Sequence, residues 1–149
     1  MPRFSANLSF LFLDRPFLDR FAAAAACGFK GVEFHFPYDF PMDEVADAAR
    51  RAGVEVVLFN FPAGNWAAGE RGIACLPTRV AEFRRGVDQA MVWAGALGCG
   101  RVNCLAGLRP DGISETVLRD TLIGNLRFAA DSFGPAGRQV LLEPLNSRD

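Results

Sequence analysis

The chain has no cluster of charge of one sign: its 16 basic residues are matched by 17 acidic ones, scattered along 149 positions, and it holds a single histidine, His35. Nothing therefore supplies the concentrated positive field that nucleic acid or an anionic membrane requires, so neither is an expected partner, and a small molecule is. Paired cysteines are also lacking. Cys27, Cys75, Cys99 and Cys104 show no CxxC spacing, and a domain of this size needs no covalent staples, which points to reduced core thiols. The longest early apolar run, residues 8–13, is broken by Ser9 and is too short for a signal-peptide core, so a cytoplasmic location is expected.

Half of the residues are apolar, enough for one domain, residues 1–149, with a sizeable core. One grammar repeats four times, in which a helical stretch ends at glycine and a β-rich run follows: Gly28 before Val32-Glu33-Phe34, Gly53 before Val54-Glu55-Val56-Val57-Leu58-Phe59, Gly98 before Arg101-Val102-Asn103-Cys104, and Gly137 before Val140-Leu141-Leu142-Glu143. Glycine just past a helix can turn left-handed without a Cβ penalty, so each marks a stop and a turn into a strand. A further strand is expected at residues 4–9.

The helices carry matching signals. The first is expected after Asp14, with Pro16 in its opening turn and Phe17 and Phe21 facing inward. In the second, Asp43 and Glu44 open the helix and Arg50 and Arg51 close it, which complements the macrodipole, with Val45, Ala48, Ala49 and Ala52 as its apolar stripe. The third, from near Thr78, sets Val80, Phe83, Val87, Met91, Ala94 and Leu97 at spacings of three and four. The fourth follows Ser114, a good N-cap, and repeats the pattern with Leu118, Leu122, Leu126, Ala129 and Phe133.

Five strands alternating with four helices imply an α/β fold with parallel strands and right-handed crossovers. A dinucleotide-binding sheet places G-x-G-x-x-G after its first strand, yet residues 7–14 contain no glycine. That absence favours a closed (β/α)8 barrel. A full barrel needs eight units and about 250 residues, so about four βα units and a fifth strand make an incomplete one.

In such a barrel, a polar side chain within a strand is tolerated mainly facing inward, near the C-terminal mouth where active sites are built. Glu33 and His35 oppose Val32 and Phe34; Asn103 opposes Val102 and Cys104; Glu143 ends the last strand, and Asn7 and Asn60 fall at the ends of the first and third. Taken singly, the asparagines also read as strand ends bonding a loop, and His35 as a satisfied buried histidine. Glu33 lies inside an apolar strand, which costs several kcal/mol unless it is paired, bonded or metal-bound. Glu143 is placed to bind a divalent cation or shuttle a proton. Residues 61–72, bearing Trp66, Glu70 and Arg71, form a long loop of the length used for lids and binding loops.

The opening Pro2-Arg3-Phe4-Ser5-Ala6-Asn7-Leu8-Ser9, Val32-Glu33-Phe34 with Phe36-Pro37-Tyr38, the loop at residues 62–71, Leu105-Ala106-Gly107, Asn125-Leu126-Arg127-Phe128-Ala129-Ala130 and Leu142-Glu143 together resemble the hydroxypyruvate isomerases, a family of xylose-isomerase-like barrels. The resemblance implies interconversion of hydroxypyruvate and tartronate semialdehyde, with 2-oxo-tetronate isomerisation as the alternative within the family. It implies that Glu143 is a catalytic glutamate that binds Mg²⁺ or Mn²⁺, the other ligands coming from later strands. The residues expected near the hydroxy-keto acid are Asn7, Glu33, His35, Asn60, Trp66, Glu70, Arg71 and Asn103. One carboxylate cannot complete an octahedral site, so this chain alone is expected to be inactive, and its first and last strands to offer edges for self-association. A non-catalytic fragment that acts with a complementary half remains a second reading. A phosphodiester-cleaving barrel is disfavoured by the sparse histidines and the lack of a basic groove.

Overall fold

The computed structural model describes residues 2–145. Strands and helices alternate throughout: β1 (Ser5–Asn7), α1 (Arg20–Ala26), β2 (Gly31–Phe34), α2 (Met42–Ala52), β3 (Glu55–Asn60), α3 (Val80–Ala96), β4 (Arg101–Leu105), α4 (Glu115–Phe133) and β5 (Gln139–Glu143). The sheet order is β1-β2-β3-β4-β5. β1 pairs β2 in parallel, with Asn7 opposite Glu33, and β2 pairs β3 in parallel. A doubly wound sheet reverses its strand order at a switch point, whereas a barrel adds each strand beside the last. The monotonic order is therefore that of consecutive strands of a barrel-type sheet. Between Val32 and Glu33 the β2–β3 register slips, so that Leu58 stands opposite Glu33 and Val57 is the extra residue of a bulge.

Two compact units divide these elements, residues 2–59 with 92–101, and residues 60–91 with 102–145. In the first unit, β1 is shorter than the expected 4–9. The Asn7 side-chain oxygen accepts the Ser9 N–H at 3.0 Å, and this local turn ends the strand. Phe12 then takes φ 61°, a left-handed conformation uncommon for a bulky residue. Pro16 sits at the N-cap of a 3₁₀ turn, Phe17–Asp19, one step outside the opening turn where it was expected. Phe17 packs edge-on against Phe21 and Phe34, at 5.5 and 5.3 Å. Helix α2 carries Asp43 and Glu44 in its first turn and Arg50 and Arg51 in its last, and buries Val45, Ala48 and Ala49, with Ala52 half-buried.

The predicted stripe of α3 is buried at Phe83, Val87 and Ala94 and half-buried at Val80, Met91 and Leu97. In the second unit, Phe61 meets Phe83 and Phe133 edge-on at 5.9 and 5.5 Å. Ser114 caps α4, its hydroxyl accepting the Val117 N–H at 3.4 Å. Leu118, Ala129 and Phe133 are buried as expected, whereas Leu122 and Leu126 are half-buried. The position between them on the buried face is Asn125, 1% exposed, which donates from Nδ2 to the Ala74 carbonyl at 2.8 Å. No helix among the described residues is long and apolar enough to cross a membrane.

The loop between β3 and α3 is braced from within. Glu70 accepts the Asn65 N–H at 2.5 Å through one oxygen and pairs with Arg79 through the other. Arg79 also holds Glu82, at 2.5 and 2.7 Å. This pairing holds the Glu82 carboxyl below its usual range, chiefly through the Arg79 hydrogen bond, and raises Arg79, with the Glu82 hydrogen bond as the largest cause. Further along, Gly72 has φ +104°, and a Cβ there would lie 2.3 Å from the Leu105 carbonyl oxygen, so only glycine lets the loop dock on the end of β4. The Cys75 N–H completes the docking with a 2.8 Å bond to the Ala106 carbonyl.

Two outcomes follow in a full-length protein carrying this sequence. Asn125→Leu leaves the buried Ala74 carbonyl without its donor and should lower stability by about 1–3 kcal/mol in denaturant titration; an unchanged midpoint would show that the bond contributes nothing. For the brace, a depressed Glu82 pKa means its contribution is present above the unfolded carboxyl value, about 4.3, and is lost as pH falls through the lower folded value. Arg79→Met should therefore lower the melting temperature at pH 7, the pair being worth ~1 kcal/mol or less at this exposure, and the gap from wild type should narrow as pH drops below about 4. A gap that stays constant down to pH 2 would rule the pair out.

Candidate active site at the strand ends

In the first unit, β1 and β2 bring together a carboxylate and its donors. Glu33 is half-buried; one oxygen accepts from Ser5 Oγ at 2.8 Å and the other from Asn7 Nδ2 at 3.2 Å. The cost of placing Glu33 in an apolar strand is thus met by hydrogen bonds from the neighbouring strand. Ser9 Oγ accepts the His35 backbone N–H at 2.9 Å, and the His35 ring sits edge-on to Phe10 at 4.9 Å. Asn7 and Glu33 are therefore bonded neighbours, while His35 contacts Ser9, Phe10 and Phe36. The serines were not singled out from sequence, although Ser5, two residues before Asn7, shares its face of the strand.

In the second unit, β3, β4 and β5 contribute a row of three. Asn103 Nδ2 donates to Asn60 Oδ1 at 3.1 Å and to Glu143 Oε2 at 2.5 Å. Asn60 and Asn103 are 5% and 7% exposed, whereas Glu143, the last residue of β5, is exposed. An ionised carboxylate only accepts, so the Asn103 nitrogen must face it, and the second amide proton then fixes the oxygen of Asn60 toward Asn103. The order of donors and acceptors along the row is set by the charge at its end.

Of the loop residues, Arg71 lies with its guanidinium carbon 4.0 Å from the centroid of the Trp66 ring, and Nη1 donates to the carbonyls of Trp66 and Glu70 at 3.3 and 2.9 Å. Glu70 serves the brace instead, and its partner Arg79 was not singled out from sequence.

All four cysteines are free, and Cys75, Cys99 and Cys104 are buried, but Cys27 is exposed and belongs to no core. Burial pushes the Cys104 thiol up to about 12 and raises that of Cys75, so neither is a thiolate nucleophile at neutral pH.

A hard divalent cation wants about six oxygens in octahedral array. Glu143 offers a carboxylate of the right chemistry at the end of the row. Among the described residues, however, no three of His, Cys, Asp and Glu stand close enough to hold an ion. The row fits one corner of such a site.

This architecture has known counterparts. A family model for xylose isomerase-like TIM barrels matches residues 21–149. Over 149 residues the chain is 50% identical to hydroxypyruvate isomerase of Escherichia coli strain K12, covering all of this chain and 58% of that one. It is 47% identical over 148 residues to 2-oxo-tetronate isomerase of Pectobacterium atrosepticum, covering 99% of this chain and 56% of that one. A crystal structure described as AP endonuclease, family 2, from Brucella melitensis superimposes with a TM-score of 0.95 at 49% identity, covering 99% of this chain and 57% of that one. The chain thus spans a little over half the length of these relatives. With five strands in barrel order and a family match over most of its length, the chain belongs to the xylose isomerase-like TIM barrel family.

Proposed function

We propose that a full-length protein carrying this chain is an aldose–ketose type isomerase of small hydroxy-keto acids, interconverting hydroxypyruvate and tartronate semialdehyde. The observation that carries the reading is the Asn60–Asn103–Glu143 row, a strand-end carboxylate held in one orientation by a buried amide. The choice of substrate is supported by similarity to a protein named hydroxypyruvate isomerase, and that to one named 2-oxo-tetronate isomerase keeps the four-carbon acid as the second candidate. The name of the Brucella structure suggests phosphodiester cleavage instead. A single histidine and evenly mixed charge argue against that chemistry for this chain.

In this reaction a proton leaves the hydroxyl-bearing carbon and arrives at the adjacent carbonyl carbon, while the hydroxyl proton moves in the same direction, to the former carbonyl oxygen. A divalent cation such as Mg²⁺ or Mn²⁺, if bound at this site, would supply Lewis-acid polarisation of the substrate. Glu143 is the residue of this chain proposed to ligate it and to carry the proton, in company with residues outside this chain. Asn103 holds that carboxylate in place and Asn60 completes the row. Glu33, fixed by Ser5 and Asn7, is proposed as a substrate-contacting group together with His35. Free thiols support a reducing, cytoplasmic setting.

Replacing Glu143 by Gln in the full-length enzyme keeps the shape and removes the charge. It should weaken Mn²⁺ binding, measured calorimetrically, by tenfold or more, and abolish solvent-deuterium exchange at the substrate carbon; unchanged affinity and exchange remove Glu143 from the role. The 149-residue polypeptide by itself, with one carboxylate corner of a metal site and with β1 and β5 at the ends of the sheet order, should show no isomerase turnover with added Mg²⁺ or Mn²⁺ and should elute larger than a monomer in size exclusion. Turnover near that of a complete family member would refute the first point, and a monomeric peak the second.

A further inference from the structure

The loop carries a cation, Arg71, that is held in place by contacts but forms no ion pair among the described residues. Arg71 Nη1 donates to the carbonyls of Trp66 and Glu70, at 3.3 and 2.9 Å, and the guanidinium carbon lies 4.0 Å from the Trp66 ring centroid. This leaves Nε and Nη2, the edge whose two parallel N–H groups match the spacing of a carboxylate. Among the described residues no carboxylate occupies that edge. Glu70, the adjacent acid, is committed to Arg79 and to the Asn65 N–H. Arg79 shows the alternative arrangement, an arginine neutralised by two carboxylates.

The position of Arg71 is fixed as firmly as its orientation. Gly72, the next residue, packs so closely on Leu105 that no Cβ fits. Leu105 ends β4, two residues beyond Asn103, which holds Glu143. A guanidinium pinned at the end of β4, half-buried and with no carboxylate partner among the described residues, has its ordering cost already met before a ligand arrives.

Resting on the isomerase reading, we infer that Arg71 is the carboxylate-binding residue of the substrate site, taking a 2-oxo acid through its Nε–Nη2 edge while Trp66 supports it from below. Hydroxypyruvate and 2-oxo-tetronate share the carboxylate and differ at the other end. Arg71 therefore separates both from neutral sugars and does not discriminate between them.

The test uses the full-length enzyme with Arg71→Met and Arg71→Lys. The Met variant should raise KM for hydroxypyruvate about ten- to hundredfold with kcat little changed, the signature of lost uniform binding. The Lys variant, which keeps the charge and lacks the fork, should recover part of this. Turnover of dihydroxyacetone, which carries a hydroxymethyl group in place of the carboxylate, should not respond to either change. A second readout is independent of catalysis: titration with pyruvate should change the fluorescence of Trp66, with Trp66→Phe assigning the signal, and the change should vanish in Arg71→Met. Pyruvate binding and KM equal to wild type in both variants would overturn the inference. Should wild type bind pyruvate through Arg71 yet isomerise neither acid, the carboxylate subsite stands and the isomerase reading falls.

Discussion

Both amide protons of Asn103 are donated sideways across the sheet, one to Asn60 and one to Glu143. That arrangement constrains more than three side chains. Neighbouring strands lie about 4.8 Å apart, so one amide can reach both neighbours only if β3, β4 and β5 present these residues at the same height. The row is thus a register device as well as a polar one. Its buried members are satisfied, which is the condition for keeping two asparagines among Val102, Cys104 and Phe61 without a stability penalty.

The loop after β3 follows a related logic, in which charge and close packing act together. Its length is that of lids and binding loops. The structure shows Glu70 and Arg79 closing the loop on itself, Gly72 against Leu105, Cys75 bonded to Ala106 and Asn125 bonded to Ala74. Segments that open easily have few such anchors. This one is a fixed wall, and the residues it presents, Trp66 and Arg71, are held in one geometry.

The alternation of strands and helices was legible because its punctuation is a backbone property. Gly28, Gly53, Gly98 and Gly137 all take positive φ, where other residues are strained, so their places betray the helix ends whatever the tertiary context. The row at the strand tips was legible from parity, since a polar residue alternating with buried apolar ones has one face left to occupy. What escaped was set by tertiary partners. Asn125 occupies a core position of α4 because a loop carbonyl reaches it, and an apolar-stripe reading passes over it to Leu122 and Leu126. The early end of β1 rests on a turn that Asn7 closes through both its side chain and its carbonyl, and Leu141 and Leu142 of β5 are 37% and 47% exposed, which strand periodicity could not anticipate.

A 2-oxo acid with a neighbouring hydroxyl presents two pairs of vicinal oxygens, carboxylate with carbonyl and carbonyl with hydroxyl. Only the second pair spans the carbons between which an isomerase moves a proton. A site that offered nothing to the carboxylate would leave both pairs competing for the divalent cation that Glu143 is proposed to ligate, and the first, being anionic, would prevail by charge. In the proposed reading, a guanidinium fixed at the end of β4 removes that competition by taking the carboxylate itself. The reactive pair is then left for that cation, beside the carboxylate that Asn103 holds one strand away. The rigidity of the loop and the fixed orientation of the row serve the same end, because selection between two nearly identical binding modes requires both anchors to stay where they are.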